Sequence, residues 1–188
     1  MGPATRRMSP RLLQQFLALT GPEVEACFSS LDLDEIRGAV SWAGLDPAPV
    51  WFDIAREFTE RWHHQQQIRD ATHRFPLYDP YFLSPVLETF VRALPYSFRN
   101  TIAPPETSVR LEISGEAGGV WWLKRTAEDW DLTLDAAGPA ALNVVLPQDA
   151  AWRLFTKGID PGEARSRAKI DGTYELADVL FATTAIIG

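Results

Sequence analysis

The residues best suited to chemistry are Glu60 and His64, four apart in the chain. In a helix such residues lie one above the other. A carboxylate and an imidazole so placed can bind a divalent ion from one side. The same pair also forms an ordinary i,i+4 surface contact, and spacing leaves both readings open. Glu57, one turn earlier, is a third ligand, an acceptor for the His64 ring or a partner for Arg61. His63 is expected to be exposed, and His73 to stabilise the helix end. No histidine lies outside residues 63–73. Zinc takes three protein ligands in a catalytic site and four in a structural one, so this helix does not complete a site alone. Cys27, beside Val24 and Phe28, reads as a small buried hydrophobe rather than a nucleophile. Gly115–Gly119 lacks the Lys-Ser/Thr ending of a phosphate loop and reads as a hairpin turn. Lys124 and Arg125 end a strand beside aromatic residues, where they either bind an anion or stay a solvated pair. Trp121 and Trp122 put one indole on each face of that strand, with at least one in the core.

These residues need elements to hold them. The strongest helix is predicted from Pro49 to about Thr72, with Val50, Trp51, Ile54, Phe58, Trp62 and Ile68 on one apolar face. Before it, Ser9-Pro10 starts a helix that Gly21-Pro22 stops, and a second runs from Glu23 to about Ser30. Leu31–Ala48 reads as irregular, broken by Gly38, Gly44 and Pro47. One further helix spans Pro80 to Phe98. Past Thr107 the pattern changes to strands: Val109–Ile113 alternates strictly, followed by Val120–Arg125, Trp130–Leu134, Leu142–Leu146 and a short strand near Ala168–Ile170. Helices are predicted over Pro147–Thr156 and from Thr173 to about Ile186. The paired prolines of 100–106 mark a linker between a helical unit, 1–99, and a sheet-and-helix unit, 107–188. The fold class is α+β.

Composition narrows the function classes. The 188 residues are 46% hydrophobic with seven Trp, ample for a packed core and incompatible with disorder over most of the chain. A formal charge of −7 argues against general nucleic-acid binding, which needs a cationic surplus. No apolar stretch reaches membrane-spanning length. Met1–Pro10 has two Arg and no apolar run, so no secretory signal is expected and a cytoplasmic location is. One Cys excludes an internal disulfide framework.

The run Trp51–Ala71, with its Glu60-x-x-x-His64, resembles the metal-binding helix of the mycothiol-dependent maleylpyruvate isomerase family, within the DinB-like superfamily of four-helix-bundle metalloproteins. Pro85–Pro95, Gly115–Trp121, Ala151–Gly158 and Ala185–Gly188 are also similar to these proteins. The resemblance implies a partial DinB-like bundle followed by a sterol-carrier-like domain. It implies zinc or another divalent metal held by Glu60 and His64, with mycothiol as cofactor. By charge, Lys124 or Arg125 would attract the carboxylates of cofactor or substrate. The family's other histidine lies in an Asp-Val-Leu-x-His-Leu block that this chain lacks. The first two bundle helices and one ligand are therefore expected to be missing. The remaining apolar faces would need covering, by a homodimer or by a partner chain that completes the bundle. Two functions follow. One is a metal-dependent isomerase or thiol transferase acting on a small molecule, impaired when alone. The other is a non-catalytic module that binds an apolar ligand or dimerises.

Overall fold

The computed structural model describes residues 8–135 and 138–185. The fold is α+β. Seven α-helices lie among the described residues, α1 (Pro10–Ser29), α2 (Val50–Ala71), α3 (Pro80–Val91), α4 (Leu94–Phe98), α5 (Gln148–Phe155), α6 (Pro161–Ser166) and α7 (Tyr174–Phe181), with one 3-10 turn at Ser41–Ala43. Five strands, β1 (Ser108–Ser114), β2 (Gly119–Arg125), β3 (Trp130–Thr133), β4 (Leu142–Pro147) and β5 (Lys169–Gly172), form one sheet in the order β3-β2-β1-β4-β5. Only β1 and β4 run parallel, and every other neighbouring pair is antiparallel.

Alternation in the strands decides which face is covered. Val109, Leu111 and Ile113 of β1, Trp121 and Leu123 of β2, and Val144 and Leu146 of β4 are buried under α3, α5 and α7. The intervening Arg110, Glu112, Trp122, Lys124 and Asn143 take the opposite face, which no helix covers closely enough to bury them. Trp121 is thus the core indole of the Trp121-Trp122 pair. The turn at Gly115–Gly118 joins β1 to β2 as the sequence predicts, with Gly115 at φ 127°.

Residues 101–104 form no helix or strand, yet the apolar core continues across this segment. Leu83, Val86, Leu87 and Phe90 of α3 and Leu94 and Phe98 of α4 belong to the same cluster as the sheet's inner face. Phe98 meets Trp130 at 5.1 Å between ring centroids. Burying each large side chain contributes roughly 1.5–3 kcal/mol, so these helices are bound to the sheet, and α3 packs against α2 as well, whose Trp62 belongs to the same cluster.

Several predicted elements change. α1 is continuous through Pro22. A proline removes one N–H and crowds the preceding turn, but α1 buries none of its residues, so a local distortion there disturbs no packed core. Ser9 caps it as predicted, accepting a bond from the Leu12 N–H at 3.2 Å. The helix predicted over Pro80–Phe98 breaks after Val91 and restarts at Leu94, where Pro95 occupies the first turn of α4. The second half holds three helices rather than two, because Asp160 and Pro161 start α6. β5 lies over Lys169–Gly172, slightly later than predicted. The predicted terminal helix ends at Phe181; Ile186, and the Ile186–Gly188 part of the family-like ending, lie outside the described residues.

Residues 31–49 hold no α-helix or strand, as predicted, yet they fold back as a compact loop, with Arg37 N–H to Ala48 O at 2.9 Å, Ala48 N–H to Gly38 O at 2.7 Å and Val40 N–H to Leu45 O at 2.7 Å. Its own small core contains Val40, Ala43, Ala48 and Phe52. At its tip Gly44 adopts φ 71°, and a Cβ there would run into the Tyr96 ring.

Candidate functional site

The Glu60–His64 pair is where spacing places it. Both side chains rise from one side of α2, with His64 Nε2 3.6 Å from Glu60 Oε2, and the other His64 nitrogen is 3.0 Å from Gln67 Oε1. The pair is open to solvent, the His64 side chain being 67% exposed. No group of three or more His, Cys, Asp or Glu stands close enough to share an ion among the described residues. Two donors on one surface fall short of the three that zinc takes in a catalytic site. The expected order of the neighbouring histidines is reversed: His63 is 7% exposed and packs edge-on to Trp152 at 6.1 Å. Burial, and then the adjacent His64, lower the His63 pKa below 6.5. Its ring is therefore a neutral packing group. Cys27 is exposed rather than buried, because α1 buries none of its residues. His73 adopts a left-handed φ of 53° just past the end of α2.

Lys124 and Arg125 have separate partners. Lys124 Nζ lies 2.7 Å from Glu106 Oε2. Arg125 Nη1 donates to Asp129 O at 2.8 Å, holding the turn that joins β2 to β3. Lys124 sits on the uncovered sheet face, and no ion pair or hydrogen bond joins either cation to Glu60 or His64 among the described residues. The four residues expected to act together form two unconnected pairs.

Two other arrangements emerge from the fold. The first is a polar clasp between α2 and α5. Asp149 accepts hydrogen bonds from the Tyr78 hydroxyl, from Arg153 Nε at 3.0 Å and from Arg167 Nη2 at 2.6 Å. Arg153 also reaches Asp70 of α2 at 2.9 Å. The Trp152 indole donates to the Tyr78 hydroxyl at 3.1 Å. Burial alone would raise the Asp149 pKa, but the bonds from Tyr78, Arg167 and Arg153 outweigh it and leave it below 3.8. Burial and the bond to Asp149 push Tyr78 up to about 12. Burial would lower Arg153; its two carboxylate partners hold it raised instead. A carboxylate with three donors and a phenol that resists ionisation are poorly suited to moving a proton near pH 7. Their role is to bind α2 to the sheet unit.

The second is an apolar cleft of about 170 Å³ between the 31–49 loop, the start of α2, the α3–α4 junction and β3. Ala43, Leu45, Trp51, Phe52, Pro95 and Leu132 supply its apolar walls, and Arg92 is the one charged wall residue among the described residues. The aromatic rings are well seated. Trp51 stacks on Phe52 at 5.0 Å and 18°, and Trp42 meets Phe52 edge-on at 5.4 Å. The Arg92 guanidinium lies over the Trp51 ring at 4.9 Å, a cation–π placement. Glu88 accepts from Arg92 at 3.0 Å and from the Trp121 indole at 2.6 Å, so it fixes the cation from behind. Only one of the five guanidinium N–H groups has an acceptor among the described residues. The cleft escapes sequence reading because its walls come from segments dispersed over residues 43–132. The one local signal is Trp51-Phe52 at a helix start, after a loop rich in breakers.

No protein-family model matches the chain. No curated protein matches it in sequence. Among solved structures the chain is similar to a "UbiJ-SCP2 Ubiquinone synthesis protein", at 13% identity over 65% of this chain and 90% of that one, with a TM-score of 0.34. It is also similar to the sterol carrier protein domain 2 of Helicoverpa armigera, at 17% identity over 54% and 78% of the two chains, TM-score 0.34. Sterol carrier protein 2 like 2 of Aedes aegypti gives 14% identity over 67% and 95%, TM-score 0.33. Scores of this size assign neither residues nor ligand.

Proposed function

We propose that this chain is a binding module for a small apolar molecule carrying an acidic group. The observation that supports the reading is the Trp51 cleft itself: six apolar walls and one partly satisfied cation. Removing apolar surface from water supplies the driving force, about 25 cal/mol per Å². Arg92 supplies orientation, because a guanidinium fork matches a carboxylate. Among the described residues no nucleophile or proton acceptor lines the cleft, so it is fitted to hold a molecule rather than transform it. Its volume is that of about five or six water molecules. This is below the range of drug-sized pockets, so the ligand class is a short-chain or single-ring carboxylate.

Calorimetric titration with hexanoate tests the reading, with hexanol and hexylamine as controls. Hexanoate is expected to bind and hexylamine not to. Arg92→Gln is expected to weaken hexanoate by tenfold or more, since a charge-assisted hydrogen bond contributes about 1.5–3 kcal/mol. Equal binding of hexanoate and hexanol would refute the role of Arg92.

A second reading, a metal-dependent thiol enzyme using mycothiol, has the Glu60–His64 alignment in its favour. In that reading Glu60 and His64 hold the metal, and Lys124 or Arg125 attracts the cofactor's carboxylates. Two donors do not make a catalytic set, so the reading needs a third ligand from outside the pair. Zinc bound by the chain with micromolar or better affinity, and lost in His64→Ala, would favour it.

A further inference from the structure

A second cleft, of about 400 Å³, lies between the 3-10 turn at Ser41–Ala43, α4, the end of α5 and the segment after α7. Two contacts bring these segments together. Tyr96 of α4 packs on the loop tip, where a Cβ on Gly44 would collide with its ring. Ala185 N–H donates to Phe155 O at 2.9 Å, tying the chain after α7 to the end of α5. Ser41, Ser97, Arg99, Lys157 and Thr184 form the polar lining, and the half-buried Trp42 is an aromatic wall. No acid lines the cleft among the described residues, although the chain carries a formal charge of −7.

The Arg99 guanidinium lies over the Tyr96 ring at 3.8 Å, and its Nη1 donates to Tyr96 O at 2.6 Å, so the fork is held in place. Its other four N–H groups have no acceptor among the described residues. Neither Arg99 nor Lys157 pairs with a carboxylate among those residues. Asp160, which shares an adjoining hollow with Lys157, instead accepts from Glu163 N–H at 2.9 Å as the cap of α6. Lys157 also stands against backbone preference. At the end of α5, Lys157 N–H bonds to Leu154 O at 3.1 Å and Gly158 N–H to Arg153 O at 2.7 Å. In this paired turn the left-handed residue is usually glycine. Here it is Lys157, at φ 58°, and glycine comes one place later. Residues held in that region cluster where ligands are clamped. Two cations and three hydroxyls suit a phosphate. Its dianion matches both charges, and its three terminal oxygens take more donors than the two of a carboxylate. Arg offers such a group a planar fork and Lys a point charge. The volume is that of about thirteen water molecules, which leaves room for a body beside the phosphate.

We propose that this cleft binds a small phosphate monoester, its phosphate between Arg99 and Lys157 and its body against Trp42. The site stands independently of the Trp51 cleft. Calorimetric titration of the full chain with phenyl phosphate, and in parallel with inorganic phosphate, tests it. Phenyl phosphate is expected to bind with a Kd of about 1 mM or tighter, more weakly as salt rises. Inorganic phosphate is expected to bind several-fold more weakly still. Lys157→Gly and Arg99→Gln should each weaken phenyl phosphate by tenfold or more. Lys157→Gly should leave Tm unchanged or higher, because glycine takes φ 58° without strain. Loss of ligand is thereby separated from loss of fold. Arg92→Gln should leave phenyl phosphate binding unchanged. No saturable binding, or binding indifferent to both Lys157→Gly and Arg99→Gln, overturns the proposal. Binding lost in Arg92→Gln also overturns it, by placing the ligand in the Trp51 cleft. Equal affinity for the two probes overturns the monoester in favour of free phosphate.

Discussion

Replacing Asp149 with Ala tests whether the clasp between α2 and α5 holds the two together. The change removes the acceptor for Tyr78, Arg153 and Arg167 at once. Of the three donors, Arg153 keeps an acceptor in Asp70 at 2.9 Å, whereas the Tyr78 hydroxyl still accepts from the Trp152 indole but loses its own acceptor. Arg167 is left with Glu163 at 3.9 Å. Hydrogen bonds to charged groups contribute about 1.5–3 kcal/mol each. The two arginine side chains are 24% and 34% exposed, so water recovers part of the loss. The net cost is about 2–3 kcal/mol. For a domain of this length, that lowers Tm by roughly 4–12 °C. Urea and thermal unfolding followed by Trp fluorescence measure it, because Trp152 lies under Arg153 at 4.3 Å. The sign with pH is also fixed. Asp149 is held below 3.8, so its contribution is present above that value and lost as pH falls through the folded-state value. The variant should therefore lose less stability than the parent on acidification below pH 4. A change under about 0.5 kcal/mol, the range of neutral surface substitutions, would refute the clasp.

Spectrophotometric titration of the four tyrosines should show one ionising near pH 12, absent in Tyr78→Phe; stability should fall between pH 10 and 12 as the unfolded phenol ionises first. His63 is buried with its pKa lowered, so the unfolded state takes up its proton first; stability should decline as pH drops below 6.5, and His63→Gln should flatten that slope in unfolding curves. Phe52→Ala, deleting a fully buried ring shared by the loop core and the cleft, should cost about 3–5 kcal/mol by urea unfolding. Gly44→Ala should cost about 1–3 kcal/mol by the same assay, from strain at φ 71° and collision with Tyr96.

Period-two alternation in Val109–Ile113 and the glycine turn after it placed β1 and β2 correctly, because one side of the sheet is buried and the other is wet. The inward side of α2 was legible only in part. Of the apolar face Val50, Trp51, Ile54, Phe58, Trp62 and Ile68, the structure buries Val50 and Trp62 but leaves Phe58 and Ile68 exposed, and it also buries Phe52, Thr59, His63 and Gln66. Those polar groups tolerate burial where partners satisfy them: Gln66 accepts from Leu77 N–H at 2.9 Å and donates to Asp70 at 3.2 Å. The partners of the clasp are 71 and 83 residues apart, and no local rule pairs them. The Glu60–His64 pair shows the opposite case. Local spacing located it correctly, but only the tertiary fold could supply a third donor, and none stands there among the described residues.

In the proposed function the Trp51 cleft holds a small carboxylate against Arg92. The most direct measurement is the set of indole N–H signals in a ¹H–¹⁵N NMR titration of the full chain with hexanoate. Trp51 should shift in a saturable manner, while Trp62 and Trp130, whose indoles donate to the Leu77 and Thr101 carbonyls, should not move. Arg92→Gln should abolish the shift. An unmoved Trp51 signal at saturating hexanoate, or an equal response in Arg92→Gln, would contradict the account.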